Sequence, residues 1–188
     1  MSKERARQLS TAEERRETVL RTAIGAFAAR GYWGTTTTEV AKAAGISQAY
    51  VYRLFPSKEA LFAAVVEHCF VQVRASLESA AAEATGSSPE VVLKTMGDAY
   101  ARLISNNDLM LIQLHAQAAA VSEPAVREVV RRGYARLVEY VRGASGGSEE
   151  QIQQFFAVGM LCHLIVSMGT DETDGPWMRT LAAGVTHY

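Results

Sequence analysis

The chain is poor in the residues that mark disulfide-rich, metal-bound or β-rich proteins. Only two cysteines, Cys69 and Cys162, occur in 188 residues. They stand far apart, supply neither a disulfide framework nor a zinc spacing, and suit a reducing, cytoplasmic setting. The four prolines each fall where a helix is expected to begin or end. Alternation of period two is absent over any useful length, so strands are not expected. His68, His115, His163 and His187 have no Ser, Cys or carboxylate partner in a recognisable arrangement. Cys162 and His163 are consecutive on an expected helix, about 100° apart around its axis, and cannot chelate. No enzyme, metal site or cofactor is therefore expected. The longest apolar run, residues 155–168, has fourteen residues and includes His163. A bilayer needs roughly 20, so a buried helix is expected instead. The N-terminal stretch MSKERARQLS is charged, with no apolar segment behind it, and is not expected to be a signal peptide.

Net charge is also nearly missing, at −1, but its distribution is uneven. Residues 1–58 hold ten Lys/Arg and five Asp/Glu, and residues 59–188 hold nine and fifteen. The first segment is thus +5 and the second −6, the kind of asymmetry that marks a segment facing nucleic acid.

What remains reads as all-α. Thr11 with Glu14 fits a capping box opening a first helix near Ser10–Thr11. Val19, Leu20, Ala23, Ile24, Phe27 and Ala28 form its apolar stripe, and Gly31 closes it. Thr36 with Glu39 opens a second helix, broken at Gly45. Ser47 caps a third, Gln48 to Phe55, stopped by Pro56. A fourth runs from Ser57 to about Ala84 with Leu61, Phe62, Val65, Val66, Cys69, Phe70, Val73 and Leu77 on one stripe. Further helices are expected at about 89–104, 107–120 and Pro124 to near Arg142. A Gly143–Gly147 linker follows, then a helix from Ser148 (a capping box with Gln151) to Met168. After an acidic loop, Gly169 to Gly175, a short helix starts at Pro176. The total is about nine helices.

Residues 36–55 have the form helix, glycine turn, short polar helix. Such a hairpin presents its second helix to a groove roughly 12 Å wide. Thr36, Thr37 and Thr38 place hydroxyl donors at the first helix N-terminus, where a phosphate is also favoured. Gln48 can address adenine through its amide, Tyr50, Tyr52 and Arg53 can reach phosphates or stack, and Lys58 adds charge. A short helical hairpin can equally be structural. The alternative reading is a helical protein that binds or sequesters a small molecule, its hairpin merely structural.

The stretch GYWGTTTTEVAKAAGISQAYVYRLFPSKEALF resembles the N-terminal domain of the TetR family of bacterial transcriptional regulators. The resemblance rests on Gly31-Tyr32, Thr35-Thr36, Val40-Ala41, Gly45-Ile46-Ser47, Tyr52, Phe55 and Ser57-Lys58-Glu59. It covers about 50 residues. It implies a DNA-binding domain over 1–56 and an effector-binding and dimerisation domain over 57–188. It implies that Thr36 and Thr37 meet the DNA backbone, that Gln48, Ala49 and Tyr50 face base edges beside the capping Ser47, and that Tyr52 and Lys58 hold phosphates. Three departures stand out. Ala49 replaces a usual glycine, Leu54 replaces a usual His or Tyr with Arg53 beside it as a substitute, and Tyr50 is bulkier than usual. The resemblance further implies a homodimeric repressor released from operator DNA by a small molecule.

Polar residues on otherwise apolar stretches are the candidate ligand contacts: Tyr100, Gln113, His115, Gln117, Tyr134 and His163, with Leu103, Leu114, Phe62 and Val66 among them. The helix after Ser148 is apolar nearly all round, so a second subunit is expected to cover it. Phe155, Phe156, Gly159, Met160, His163, Leu164 and Met168 are the expected dimer residues, with Gly159 allowing close backbone approach. Two recognition helices would then lie about 34–36 Å apart. The Arg127, Arg131, Arg132, Arg136 series, with Glu128 four residues before Arg132, reads as a solvated helix face.

Overall fold

A computed structural model describes residues 3–105, 107–169 and 175–184, with backbone alone over residues 3–12. Nine helices occur among the described residues: α1 Lys3–Gly34, α2 Thr37–Ala43, α3 Gln48–Leu54, α4 Lys58–Glu83, α5 Pro89–Ile104, α6 Asn107–Ala120, α7 Pro124–Ser145, α8 Glu149–Met168 and α9 Pro176–Ala182. The all-α expectation holds.

Most boundaries follow local chemistry. Thr36 accepts from the Glu39 N–H while Glu39 returns a bond to the Thr36 N–H, and Ser148 and Gln151 do the same at α8. Ser47 and Ser57 accept from the N–H groups of Tyr50 and Ala60. Two boundaries differ from expectation. Helix α1 starts at Lys3, well before Ser10–Thr11. The side chain of Thr11 lies outside the described residues, as do residues 170–174 of the acidic loop and His187. Helix α7 runs to Ser145 rather than ending near Arg142. There the Ser145 hydroxyl donates to Val141 O and accepts from Gly147 N–H, so the glycine linker is shortened to its last two members.

The chain divides into two compact units, Met1–Cys69 with Leu111–Val130, and Phe70–Met110 with Arg131–Tyr188. Helices α4, α6 and α7 contribute residues to both. Packing and motif thus divide the chain at different points, the motif boundary falling at 56/57.

In the first unit, Val19, Ala23, Phe27 and Ala28 of α1 meet Val40, Val51, Phe55, Leu61, Phe62 and Val65 in a closed core. The Phe62 ring lies 4.8 Å from Phe27 and 5.2 Å from Tyr32. Gly31 interrupts α1 with φ of 70°, a left-handed conformation that favours glycine. A Cβ there would lie 2.9 Å from His115 Nδ1, so the His115 ring occupies the space that a side chain would need. His115 Nε2 sits 3.3 Å from Ala28 O, where an N–H closes a carbonyl freed by the break.

In the second unit, Val73, Leu77, Val92, Met96, Ala99, Leu137, Val141, Ile152 and Ile165 are buried. Gly133 of α7 meets the Phe70 ring, which lies 2.4 Å from where a Cβ would be. By length and composition α4 and α8 could each cross a bilayer, which the fourteen-residue run alone did not suggest. In α4 the whole stripe from Leu61 to Leu77 is buried within the protein.

Replacing Phe62 by Ala is expected to lower unfolding free energy by about 3–5 kcal/mol, measured by urea titration. Gly31→Ala is expected to cost about 1–3 kcal/mol. Adding His115→Ala should restore only part of that loss, because the backbone conformation stays unfavourable.

Candidate nucleic-acid interface

Helix α3 has seven residues, and Val51 alone is fully buried among them. Gln48, Ala49, Tyr52 and Arg53 are exposed and Tyr50 is half-buried. The short helix is therefore anchored by one residue and presents the rest.

A hydrogen-bonded chain crosses from α2 to α3. Gln48 Nε2 donates to Thr37 Oγ1 at 3.0 Å, and the Thr37 hydroxyl donates to Tyr52 Oη at 3.0 Å. Thr37 itself is buried. Each donor polarises the next, strengthening the chain. Gln48 keeps one N–H and its carbonyl oxygen, the donor–acceptor pair that matches adenine N7 and N6. Tyr52 keeps its hydroxyl hydrogen on a side chain 44% exposed. Both side chains are held in place before any partner arrives.

Of the three threonines expected to place hydroxyl donors at the α2 N-terminus, two already donate within the chain. The Thr36 hydroxyl donates to Glu39 and accepts from its N–H, and Thr37 donates within the chain just described. Thr38 is exposed. The Glu39 carboxylate is held below its ordinary range by the Thr36 backbone N–H, then by the Thr36 hydroxyl and Arg30, with which it pairs. That carboxylate takes the place near the α2 N-terminus that a phosphate would otherwise occupy.

Lys58 is also engaged. Its Nζ donates to Tyr32 O at 3.0 Å and Thr35 O at 3.4 Å and lies 4.5 Å from the Tyr32 ring centroid. It ties α4 to the end of α1. The Tyr32 phenol donates to Glu59 at 3.0 Å. Burial, then the carboxylates of Glu59 and Glu123, push its pKa well above the ordinary 10.

Two arginines not foreseen as site residues, Arg15 and Arg16, flank α3. Arg15 and the foreseen Arg53 lie 5.6 Å and 4.2 Å from the Tyr50 ring centroid. The bond to Arg53, ahead of that to Arg15, lowers the Tyr50 phenol from its ordinary 10.0. Arg16 donates to Leu54 O at 3.1 Å and lies 4.3 Å over Phe55, so the Leu54 position is capped through its backbone. The charge excess of residues 1–58 counted these arginines without placing them. Only the fold brings the polar side of α1 against α3.

The candidate ligand residues separate. Phe62, Val66, Gln113, Leu114 and Gln117 belong to the first unit, and Tyr100, Leu103, Tyr134 and His163 to the second. Phe62 and Val66 are core, 0% and 1% exposed. Among the expected dimer residues, Met160, Leu164 and Met168 are exposed large apolar side chains, spaced four apart on one face of α8. Phe155, Phe156 and Gly159 are half-buried. Gly159 faces the Tyr100 ring of its own chain, 3.6 Å from where its Cβ would be. His163 is buried and turned toward Tyr100. Both make contacts within the protomer.

Arg53→Ala is expected to move the Tyr50 phenol back up toward 10.0, since it removes the nearer cation that favours the phenolate. An NMR titration of ring-labelled tyrosine checks the direction.

Comparison with known proteins places this geometry. Residues 19–65 match the profile of bacterial regulatory proteins of the tetR family. YerO of Bacillus subtilis (strain 168), an uncharacterized HTH-type transcriptional regulator, is 29% identical over 102 residues, covering 54% of this chain and 35% of YerO. The HTH-type transcriptional regulator CymR of Pseudomonas putida is 31% identical over 133 residues, 70% of this chain and 64% of CymR. The chain thus matches about a third of YerO's length and under two thirds of CymR's. A crystal structure of a TetR-family transcriptional regulator from Agrobacterium tumefaciens superposes with a TM-score of 0.69 at 16% identity, covering 92% of this chain and 94% of that one. This last likeness is one of fold.

Proposed function

We propose that this chain, a member of the TetR family, is a cytoplasmic, homodimeric, DNA-binding transcriptional regulator, a repressor that leaves its operator when a small, largely apolar molecule binds. Residues 1–56 would bind DNA, and residues 57–188 would bind the effector and the second subunit. The Gln48–Thr37–Tyr52 chain carries this reading. A merely structural hairpin has no need of an exposed amide and phenol held in register by a buried hydroxyl. In this reading Gln48, with Ala49 and Tyr50 beside it, reads bases, while Tyr52, Arg53 and Thr38 meet phosphates. Lys58 keeps the α1–α4 junction rigid behind them.

The dimer reading is supported by α8. Met160, Leu164 and Met168 are 40%, 47% and 45% exposed, and Trp177 of α9 is 53% exposed. A contiguous apolar face of this kind marks an interaction surface. A two-fold axis would let one stripe cover its own copy.

Binding to the DNA upstream of the chain's own gene is the direct test, read by fluorescence anisotropy. Thr37→Val is expected to weaken binding about 5- to 30-fold through a residue that does not touch DNA, because one to two hydrogen bonds of roughly 1 kcal/mol each are lost. Tyr52→Phe should show a similar loss. Arg53→Ala should lower the log–log salt slope by about 1. Unchanged affinity in all three variants would overturn the assignment of this face. Sedimentation should give a particle of twice 20.4 kDa, and Leu164→Glu should shift it to the monomer.

A further inference from the structure

The second unit contains a buried polar pair that its packing leaves incomplete. The Tyr100 hydroxyl and His163 Nε2 are 2.5 Å apart. His163 is 1% exposed, and its Nδ1 is buried with no hydrogen-bond partner. Burial lowers its pKa, so the ring is neutral and carries one N–H. A phenol is a good donor and a poor acceptor, whereas a bare imidazole nitrogen is a strong acceptor. We infer from this ordering that Tyr100 donates to Nε2 and that the imidazole proton sits on Nδ1. Such an N–H without an acceptor is costly in a core, and a group that supplies the acceptor recovers that cost.

The surroundings define what can supply it. Helices α5 and α8 interlock through two glycines. A Cβ on Gly159 would lie 3.6 Å from the Tyr100 ring, and one on Gly97 would lie 3.9 Å from the Phe155 ring. Phe155 meets Phe156 edge-on at 5.3 Å, and Phe156 meets Tyr134 at 6.4 Å. These four aromatic residues are half-buried, so His163 is closed in beside rings that are not. No Lys or Arg of the unit is buried among the described residues. Among the described residues of the unit, every Lys and Arg is exposed except Arg74, and Arg74 lies 3.7 Å over the Tyr140 ring while bonded to Glu78. A carboxylate brought to His163 would meet no buried cation among the described residues, so its burial is more costly than that of a neutral carbonyl.

We propose that His163 Nδ1 is the hydrogen-bond donor of a site in the second unit for a neutral aromatic molecule bearing a carbonyl oxygen. The carbonyl completes the Tyr100–His163 pair and the aromatic body lies among the rings of Tyr134, Phe155 and Phe156. Because Nδ1 is covered in this structure, the ligand enters by turning these half-exposed rings aside. The proposal rests on the reading of the chain as a ligand-responsive regulator and names the effector's chemistry.

The test uses the full-length protein. Calorimetry with acetophenone, 2-acetylnaphthalene and 2-acetylanthracene is compared with the matched methyl arenes and carboxylates. At least one ketone is expected to bind about tenfold more tightly than its methyl partner and more tightly than its carboxylate. His163→Phe should abolish that preference while leaving the methyl arene's affinity within about twofold. Nitrogen-15 spectra of histidine-labelled protein should show the Nδ1–H tautomer, and Tyr100→Phe, which keeps the ring, should weaken ketone binding. The Nε2–H tautomer in the free protein, equal affinity for ketone and methyl arene, or no ketone binding up to 1 mM would each overturn the site. A gel shift separates this from the functional reading. Ketone binding that depends on His163 yet leaves the DNA complex intact upholds the site and removes the effector role.

Discussion

The left-handed backbone at Gly31 is the constraint on which the candidate interface depends. It ends the long run of α1 and turns Tyr32 back into the core, where the ring meets Phe62 and its hydroxyl meets Glu59. The turn exposes carbonyls at Tyr32 and Thr35, and Lys58 closes both. Only then does the chain reach Thr36, which opens α2. The start of α2 fixes where Thr37 lies, and Thr37 fixes Gln48 and Tyr52 of α3. One glycine conformation thus sets the position of a helix seventeen residues later, because each intervening step is closed by a specific bond. His115 packs into the space that a side chain at residue 31 would fill, so α6 takes part in the same constraint.

What was legible in the sequence was whatever depends on neighbours along the chain. Capping boxes at Thr36/Glu39 and Ser148/Gln151, the caps at Ser47 and Ser57, and the α4 stripe are all relations over three or four residues, and the structure contains them. The start of α1 was not legible. A good local cap at Thr11 suggests a beginning, yet charged residues with high helix propensity let the helix continue upstream of it. The roles of Lys58 and Thr37 were half legible. Residue type marked them as polar and near the interface, but whether a donor faces outward or closes a carbonyl depends on partners 23 to 26 residues away for Lys58 and 11 to 15 for Thr37. Arg15 and Arg16 were invisible for the same reason. Nothing within their own helix says that α3 lies beside them.

The charge split acquires a physical meaning from this placement. Three of the arginines that raise the first segment to +5, Arg15, Arg16 and Arg53, gather around the ends and exposed side of α3. A phosphate backbone would meet guanidinium groups already oriented by aromatic rings, so less side-chain entropy is lost on contact. The excess of carboxylates in residues 59–188 would work in the other direction, repelling DNA under the proposed function. Such a split lets a chain of nearly zero net charge bind a polyanion with one face.

Helix α8 shows why composition alone misreads an apolar helix. Its sequence is apolar nearly all round, which fits a membrane span, a core helix or an interface. The structure sorts its residues into two classes. Ile152, Cys162, His163 and Ile165 are buried within the chain, whereas Met160, Leu164 and Met168 face outward. A membrane span would have no reason to bury a histidine beside a tyrosine on one side while its other side stays open to water. A core helix would not leave three large side chains four residues apart more than a third exposed. The dimer proposed above would use both: an inner face that fixes α8 to its own subunit, and an outer face open to another. Gly159 lies between the two classes, and its bare backbone is used inward, against Tyr100. That small residue brings α5 and α8 together, and so sets the Tyr100–His163 pair.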